Sequence, residues 1–195
     1  MTPLHTSDKD RWNARYAHTD STASAADVLA ANLYILPAQG AALDLACGLG
    51  GNALLLARHG LTTQAWDISR TGLSRLSQQA AAAGLTIQVE ERDVVAQPPP
   101  PDSFDVIVVS YFLDRNLMPA LQGAVRRGGL LFYQTFTETR LTGRGPDNPD
   151  YRLRAQELFN YFKELQILLY RENVDQGDIS QGLRDEAQLI ARRPV

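Results

Sequence analysis

Apolar residues recur along this chain in two alternating rhythms. Short continuous runs of valine, isoleucine and leucine are separated by segments of helical spacing, and a strand buried on both faces of a parallel sheet requires such runs. The pattern predicts an α/β fold. Residues 24–36 read as a helix that stops before Pro37, because the residue ahead of a proline is pushed out of the helical region. Residues 41–46 form the first buried strand, 52–59 a helix closed by Gly60, and 62–66 the second strand. Ser69 is placed to cap a long helix ending at Gly84, followed by a third strand at 86–90. The next connection, DVVAQPPPPDS, is too rich in proline for a helix, so an extended loop is expected before strand four at 104–109. Gly128 and Gly129 announce strand five at 130–136.

Beyond that strand, residues 137–151 are loop-like, and Asn148-Pro149 suits the opening of a helix carrying Leu158, Phe159 and Phe162. Residues 165–172 and 186–191 read as a terminal antiparallel pair. No composition shift or repeat marks a second domain, so residues 1–195 are expected to form one.

Composition narrows the function. A chain of 195 residues buries roughly 70% of its unfolded surface and needs no covalent staple. Its one cysteine excludes an internal disulfide and fits a reducing compartment. The leader MTPLHTSDKDRWNARY lacks the basic-then-apolar order of a secretory signal, and no apolar run reaches the roughly 18 residues of a membrane span. A soluble, cytoplasmic protein is expected. A net charge of −3 argues against nucleic acid or an anionic membrane as partner. His5, His18 and His59 share no metal-ligand spacing, so no metal is expected.

The chemistry concentrates in LDLACGLGGNALLLARHG, residues 43–60. Gly48, Gly50 and Ala53 satisfy G-x-G-x-x-G/A between a strand and a helix, and Asp67 closes strand two at the distance where a carboxylate meets a ribose. That alone suggests a nicotinamide dinucleotide. Asp44, four residues before the first glycine, and Asp93 after strand three bring two more acids to the same strand ends, which a pyrophosphate would not favour. A ribose and adenine with a cationic sulfonium and ammonium tail suits three carboxylates better. S-adenosylmethionine is such a ligand, leaving S-adenosylhomocysteine as product. A side chain at Gly50 is expected to enter the space where the backbone approaches that ligand and to leave the fold intact.

At these residues the chain resembles the class I S-adenosylmethionine-dependent methyltransferases. Asp44-Leu45-Ala46-Cys47-Gly48-Leu49-Gly50 is similar to their first motif, Asp67 to their ribose-binding acid, Asp93 to the acid at the adenine amino group, and Phe104-Asp105-Val106-Ile107 to their fourth strand. Ala46 departs from the glycine of many members. The resemblance implies a doubly wound, Rossmann-like, mostly parallel seven-stranded sheet, ordered 3-2-1-4-5-7-6 with strand seven antiparallel. It also implies cofactor contacts from Ala46, Asn52, Ile68, Val94 and Ser110 beside the motif residues. The short chain and the opening Trp12-Asn13-Ala14-Arg15-Tyr16 most resemble small bacterial members of the tellurite-resistance and thiopurine type.

Trp12 and Tyr16 lie four apart on one helical face, so residues 1–20 are expected to form a lid, with Arg15 near the methionine carboxylate. Cys47 fills a turn; an acid-rich pocket disfavours its thiolate. The acceptor is expected beyond strands four and five, near Tyr111, Arg115, Tyr133 and Thr135. No general base stands out, which favours an acceptor already nucleophilic at neutral pH. Among the 19 basic residues only Lys9 and Lys163 are lysines, and four arginines, Arg140, Arg144, Arg152 and Arg154, fall in or beside the 137–151 loop. Guanidiniums there suit a small oxyanion or carboxylate, with Arg144 foremost.

Rival chemistries lose ground on the same residues. The Asp/Asn-Pro-Pro-aromatic turn of amino-methylating nucleic-acid enzymes is replaced by Ser110-Tyr111-Phe112-Leu113, and no cysteine follows strand four to attack a cytosine. A nicotinamide oxidoreductase and a non-catalytic S-adenosylmethionine-binding domain remain as alternatives.

Overall fold

The computed structural model describes residues 6–19 and 24–195. Of the lid expected at 1–20, residues 1–5 and 20 lie outside that range. The apolar runs become seven strands: β1 (Ala41–Leu45), β2 (Thr62–Asp67), β3 (Ile87–Glu91), β4 (Phe104–Ser110), β5 (Val125–Phe136), β6 (Gln166–Arg171) and β7 (Glu186–Arg192). They form one sheet in the order β3-β2-β1-β4-β5-β7-β6. Pairings from β3 through β5 are parallel, and β7 runs antiparallel to both neighbours, β5 and β6. This is the arrangement that the family resemblance implies.

Side-chain alternation explains why both faces of the sheet are apolar. Leu43, Leu45, Ile107, Val109, Leu131 and Tyr133 pack beneath α5 (Met118–Ala124) and α6 (Glu157–Phe162), through Met118, Leu121, Leu158 and Phe162. Their neighbours Ala42, Val106, Val108 and Phe132 point the other way, against Val28 and Leu29 of α2 (Asp27–Ala30) and Leu56 of α3 (Gly51–His59). Successive strand residues face opposite sides, so a strand covered on both faces must be apolar throughout. Near the β3 edge, α4 (Arg70–Ala82) lays Leu73, Leu76 and Ala80 on Ala53 and Ala65.

The order positions the site. The chain winds outward from β1 through α3, β2 and α4 to β3, then returns to pair β4 on the other flank of β1. A crevice opens where the winding reverses, at the carboxyl ends of β1 and β4.

Three expectations need correcting. The helix at 24–36 is only the four residues of α2 plus a 3-10 turn, Leu33–Ile35. Asn32 ends it by donating from Nδ2 to the Val28 carbonyl at 2.9 Å. The Ala26 and Val28 amides are meanwhile taken by distant side chains, Asn52 Oδ1 and Gln134 Oε1, each at 2.8 Å. Asn148-Pro149 opens just a 3-10 turn, Pro149–Tyr151; Gln156, with φ 56°, lies between that turn and α6. Finally, α5 has no counterpart in the sequence reading, and β5 starts earlier, at Val125, through a register shift against β4. Strand ends otherwise agree with the sequence reading to within a residue or two, Ser69 accepts the Gly72 amide as the cap of α4, and the proline-rich connection is a loop.

Candidate functional site

The turn after β1 is built from left-handed residues. Ala46, Gly48 and Gly50 have φ of 54°, 56° and 77°, and a non-glycine residue held there costs roughly 1–3 kcal/mol. Neighbours hold it. The Cys47 amide donates to the Trp66 carbonyl at 3.0 Å, and the Gly50 amide to the Cys47 carbonyl at 2.8 Å. A Cβ on Gly72 of α4 would lie 2.6 Å from the Gly48 carbonyl oxygen, so helix and turn are in close contact. A Cβ on Gly50 would lie 2.3 Å from Leu76 Cδ1. Gly50 therefore faces the core beneath the turn, which corrects the expectation that a side chain there would spare the fold.

The three acids part ways in space. Asp44 is fully buried behind the turn, accepting from the Ala53 amide at 2.9 Å and Asn52 Nδ2 at 3.2 Å. Burial pushes its carboxyl up to about 7, against the opposing pull of those hydrogen bonds. Asp67 closes β2, accepting from the Gly48 and Ser69 amides at 2.8 Å each, and it lines the cavity. Burial raises its pKa too. Asp93 caps a turn, its Oδ1 accepting from the Val95 and Ala96 amides; the cavity wall there is Arg92 and Val94.

The cavity, about 480 Å³, extends across the carboxyl ends of β1, β2 and β4. The turn from Ala46 to Asn52 lines one side, with Ile68 and Val94 beside Asp67. Trp12, Arg15 and Tyr16 of α1 (Thr6–Ala17) line another. The rings of Trp12 and Tyr16 stack at 5.5 Å, and the Arg15 guanidinium lies 5.2 Å from the Trp12 ring. The Tyr16 hydroxyl reaches within 2.7 Å of where a Gly48 Cβ would sit. Three side chains, Lys9, Asn13 and Arg75, hold α1 down. Asn13 Oδ1 accepts from Ser69 Oγ and the Thr71 amide, Arg75 donates to the carbonyls of Tyr16 and Thr19, and Lys9 pairs with Glu91.

The far end is aromatic and polar. Ser110 ends β4 and Tyr111 follows it, itself left-handed at φ 55°, with its amide donating to the Gln134 carbonyl at 2.8 Å. Its ring lies 5.1 Å from Phe136. The Tyr111 hydroxyl donates to Glu186 Oε2 at 3.3 Å and accepts from Gln134 Nε2 at 3.1 Å. Burial, then Glu186, pushes that phenol up to about 12, so it stays protonated. Arg144 Nη2 meets Glu186 Oε1 at 2.9 Å.

Thirteen of the seventeen residues expected from the sequence thus line one cavity; Asp44, Asp93, Arg115 and Tyr133 do not. Arg115 instead pairs with Glu157 at 2.7 Å and donates to the carbonyls of Asp150 and Arg152. Tyr133 faces the opposite side of β5 from Phe132, buried, with its hydroxyl donating to the Phe112 carbonyl. Thr135 is likewise buried. Sequence reasoning missed Phe112, Phe136, Gln134 and Glu186; Gln134 was signalled by a glutamine inside an otherwise apolar strand, while Glu186, at the head of its strand beside Arg184 and Asp185, carried no such signal. Among the described residues no group of His, Cys, Asp and Glu could hold a metal ion, and no helix is long and apolar enough to cross a membrane.

Residues 42–129 match the family described as "Methyltransferase domain". No curated protein matches the chain by sequence. Among solved structures, TehB from Haemophilus influenzae is 25% identical with a TM-score of 0.70, over 95% of this chain and 66% of that one. A structure described as "Conversion of a Disulfide Bond into a Thioacetal Group during Echinomycin Biosynthesis" matches at 25% identity and TM-score 0.70, over 95% and 92%. An S-adenosylmethionine-dependent methyltransferase from Mesorhizobium loti shares the fold at TM-score 0.64 and 20% identity, over 86% and 98%. The chain spans just under two thirds of the length of the first of these.

Proposed function

We infer that this chain, with its methyltransferase domain and class I strand order, is an S-adenosylmethionine-dependent methyltransferase, and we propose that its acceptor is a small, soft nucleophile. The carrying observation is the single cavity that runs from the glycine turn and Asp67 to Tyr111, Phe136 and Arg144. Its volume of about 480 Å³ lies in the range of roughly 300–1,000 Å³ that encloses one drug-sized ligand. A volume of about 480 Å³ suits one cofactor with a small acceptor group at the Tyr111 end.

The residues present fit the cofactor. Asp67 offers carboxylate lone pairs beyond those used by two backbone amides, suited to ribose hydroxyls. Ile68 and Val94 supply apolar walls for an adenine, and Arg15 a cation for the amino-acid carboxylate. The acid at the turn favours a cationic ligand over a pyrophosphate, which weighs against a nicotinamide enzyme. When bound, this cofactor supplies a methyl already activated on a sulfonium. The protein's own share is orientation and exclusion of water: Trp12 and Tyr16 cover the turn, and Tyr111 and Phe136 wall the acceptor end. Positioning of that kind accounts for roughly 7–11 kcal/mol of barrier in well-oriented reactions. The likeness to TehB supports the small bacterial branch, and the likeness to a protein described by the conversion of a disulfide into a thioacetal supports a sulfur-containing acceptor.

Methyl transfer to thiols, selenite and tellurite, followed by product mass, tests the assignment. Turnover on at least one of these, and none on nucleic acid or protein, is expected. Transfer to a macromolecule alone would overturn the small-acceptor reading, and binding without turnover on any acceptor would favour a sensor.

A further inference from the structure

The acceptor end holds a buried carboxylate that methyl transfer to a soft nucleophile does not require. Glu186 starts β7, and its side chain is 2% exposed. Oε2 accepts from Gln134 Nε2 at 2.6 Å and from the Tyr111 hydroxyl, while Oε1 meets Arg144 at 2.9 Å. A carboxylate withdrawn from water needs a cation, and the cation here comes from the loop over the cavity.

That loop is seated from both sides of Arg144. Arg152 donates to the carbonyls of Thr137, Arg144 and Pro146, and Asp185 accepts from the amides of Leu141 and Thr142. Gly145, at φ 86°, lies so close to Phe136 that a Cβ there would sit 2.6 Å from the ring. The other loop arginines are occupied: Arg140 pairs with Asp147, Arg152 is the strap, and Arg154 lies 3.8 Å from Glu138 on the surface. Arg144 alone of the four lines the cavity. Its side chain is 60% exposed, so one edge of the guanidinium rests on Glu186 while other N–H groups stay open to an incoming ion.

We propose that Glu186 is a positioning residue that fixes Arg144 as an anchor for an anionic oxygen pair on the acceptor, so that the enzyme takes a small thiol carrying a carboxylate. The inference rests on the methyltransferase reading. Tyr111 and Phe136 wall the thiol end, and Gln134 and the Tyr111 hydroxyl keep Glu186 oriented.

The test uses the full chain saturated with S-adenosylhomocysteine. Calorimetry compares 3-mercaptopropionate with its neutral counterpart, 3-mercapto-1-propanol. The carboxylate is expected to bind at least about tenfold tighter, the scale of one hydrogen bond to a charged group. Glu186→Gln, nearly isosteric, is expected to bring that ratio close to one without changing S-adenosylhomocysteine affinity. A merely structural glutamate would weaken both thiols alike and leave the ratio in place, which overturns the proposal. Should Glu186→Gln fail to fold, Arg144→Gln on the exposed loop carries the same comparison. A ratio near one in the parent protein, or a ratio raised by Glu186→Gln, also overturns it. In either case S-adenosylhomocysteine binding and methylation of the neutral thiol leave the methyltransferase reading standing. Absence of S-adenosylhomocysteine binding defeats both.

Discussion

Asp44 ties the site to stability through its proton. Its carboxyl is lifted from an ordinary 3.8 to about 7, so between those values the folded chain holds a proton that the unfolded chain has released. The stabilisation from this group is complete below about pH 4 and is lost as pH rises through 7, on the order of a few kcal/mol in all. Urea midpoints of the parent protein should fall between pH 5 and pH 8, and less steeply in Asp44→Asn, which cannot ionise. Equal slopes would assign the titration to another group. Gly50 supplies a second residue-scale prediction. Because its missing Cβ would strike Leu76 and its φ is left-handed, Gly50→Val should lower stability by roughly 1–3 kcal/mol through overpacking alone, before strain is added. A variant as stable as its parent would show that Leu76 and α4 yield more readily than their packing indicates.

Among the elements, α1 stands out because polar contacts hold it to the rest. Its mean composition is hydrophilic, TSDKDRWNARYA, and Arg75 of α4 donates to the carbonyl of Tyr16 in its last turn and to that of Thr19 just beyond its end. Hydrogen bonds from a charged donor contribute roughly 1.5–3 kcal/mol. Arg75→Ala should therefore let α1 open: backbone amides of α1 exchange at least about tenfold faster while those of β4 do not change. Trp12 emission, read in a Trp66→Phe background, should shift toward that of an exposed indole. Unaltered exchange would mean that Asn13 and the stacked Trp12–Tyr16 pair suffice to hold the helix.

At the scale of the whole molecule, the strand order reverses between β1 and β4, and the cavity that opens there extends to Asp67 of β2 beside the glycine turn. At a ligand concentration of 100 times Kd, binding to the folded state alone adds about 2.7 kcal/mol. For a chain of this size S-adenosylhomocysteine should then raise Tm by roughly 5–11 °C, and NAD should leave it unchanged. A shift with NAD and none with S-adenosylhomocysteine would return the chain to the dinucleotide alternative.

Features that depend on near neighbours were legible in the order of residues. Continuous valine and isoleucine runs mark strands covered on both faces, Ser69 caps α4 three residues from the amide it accepts, and Gly48 and Gly50 take the left-handed turn that their missing side chains permit. Nine of the thirteen expected residues that line the cavity sit at or just past strand ends that a doubly wound sheet brings to one edge, whereas Trp12, Arg15, Tyr16 and Arg144 reach it from α1 and the 137–151 loop. The pairing of polar groups far apart in the chain was instead set by packing. Gln134 reaches the Val28 amide 106 positions away, and that capture, with Asn52 on Ala26, fixes where the short α2 begins, at a point its helical spacing did not foretell. Glu186 and Arg144 meet through a strand reversal and a folded loop. Asp44 and Asp93 look in sequence like Asp67, yet backbone amides nearby draw one inside and the other into a turn. A carboxylate's role is set by which donors surround it once water has been displaced, and those donors are assembled only by packing.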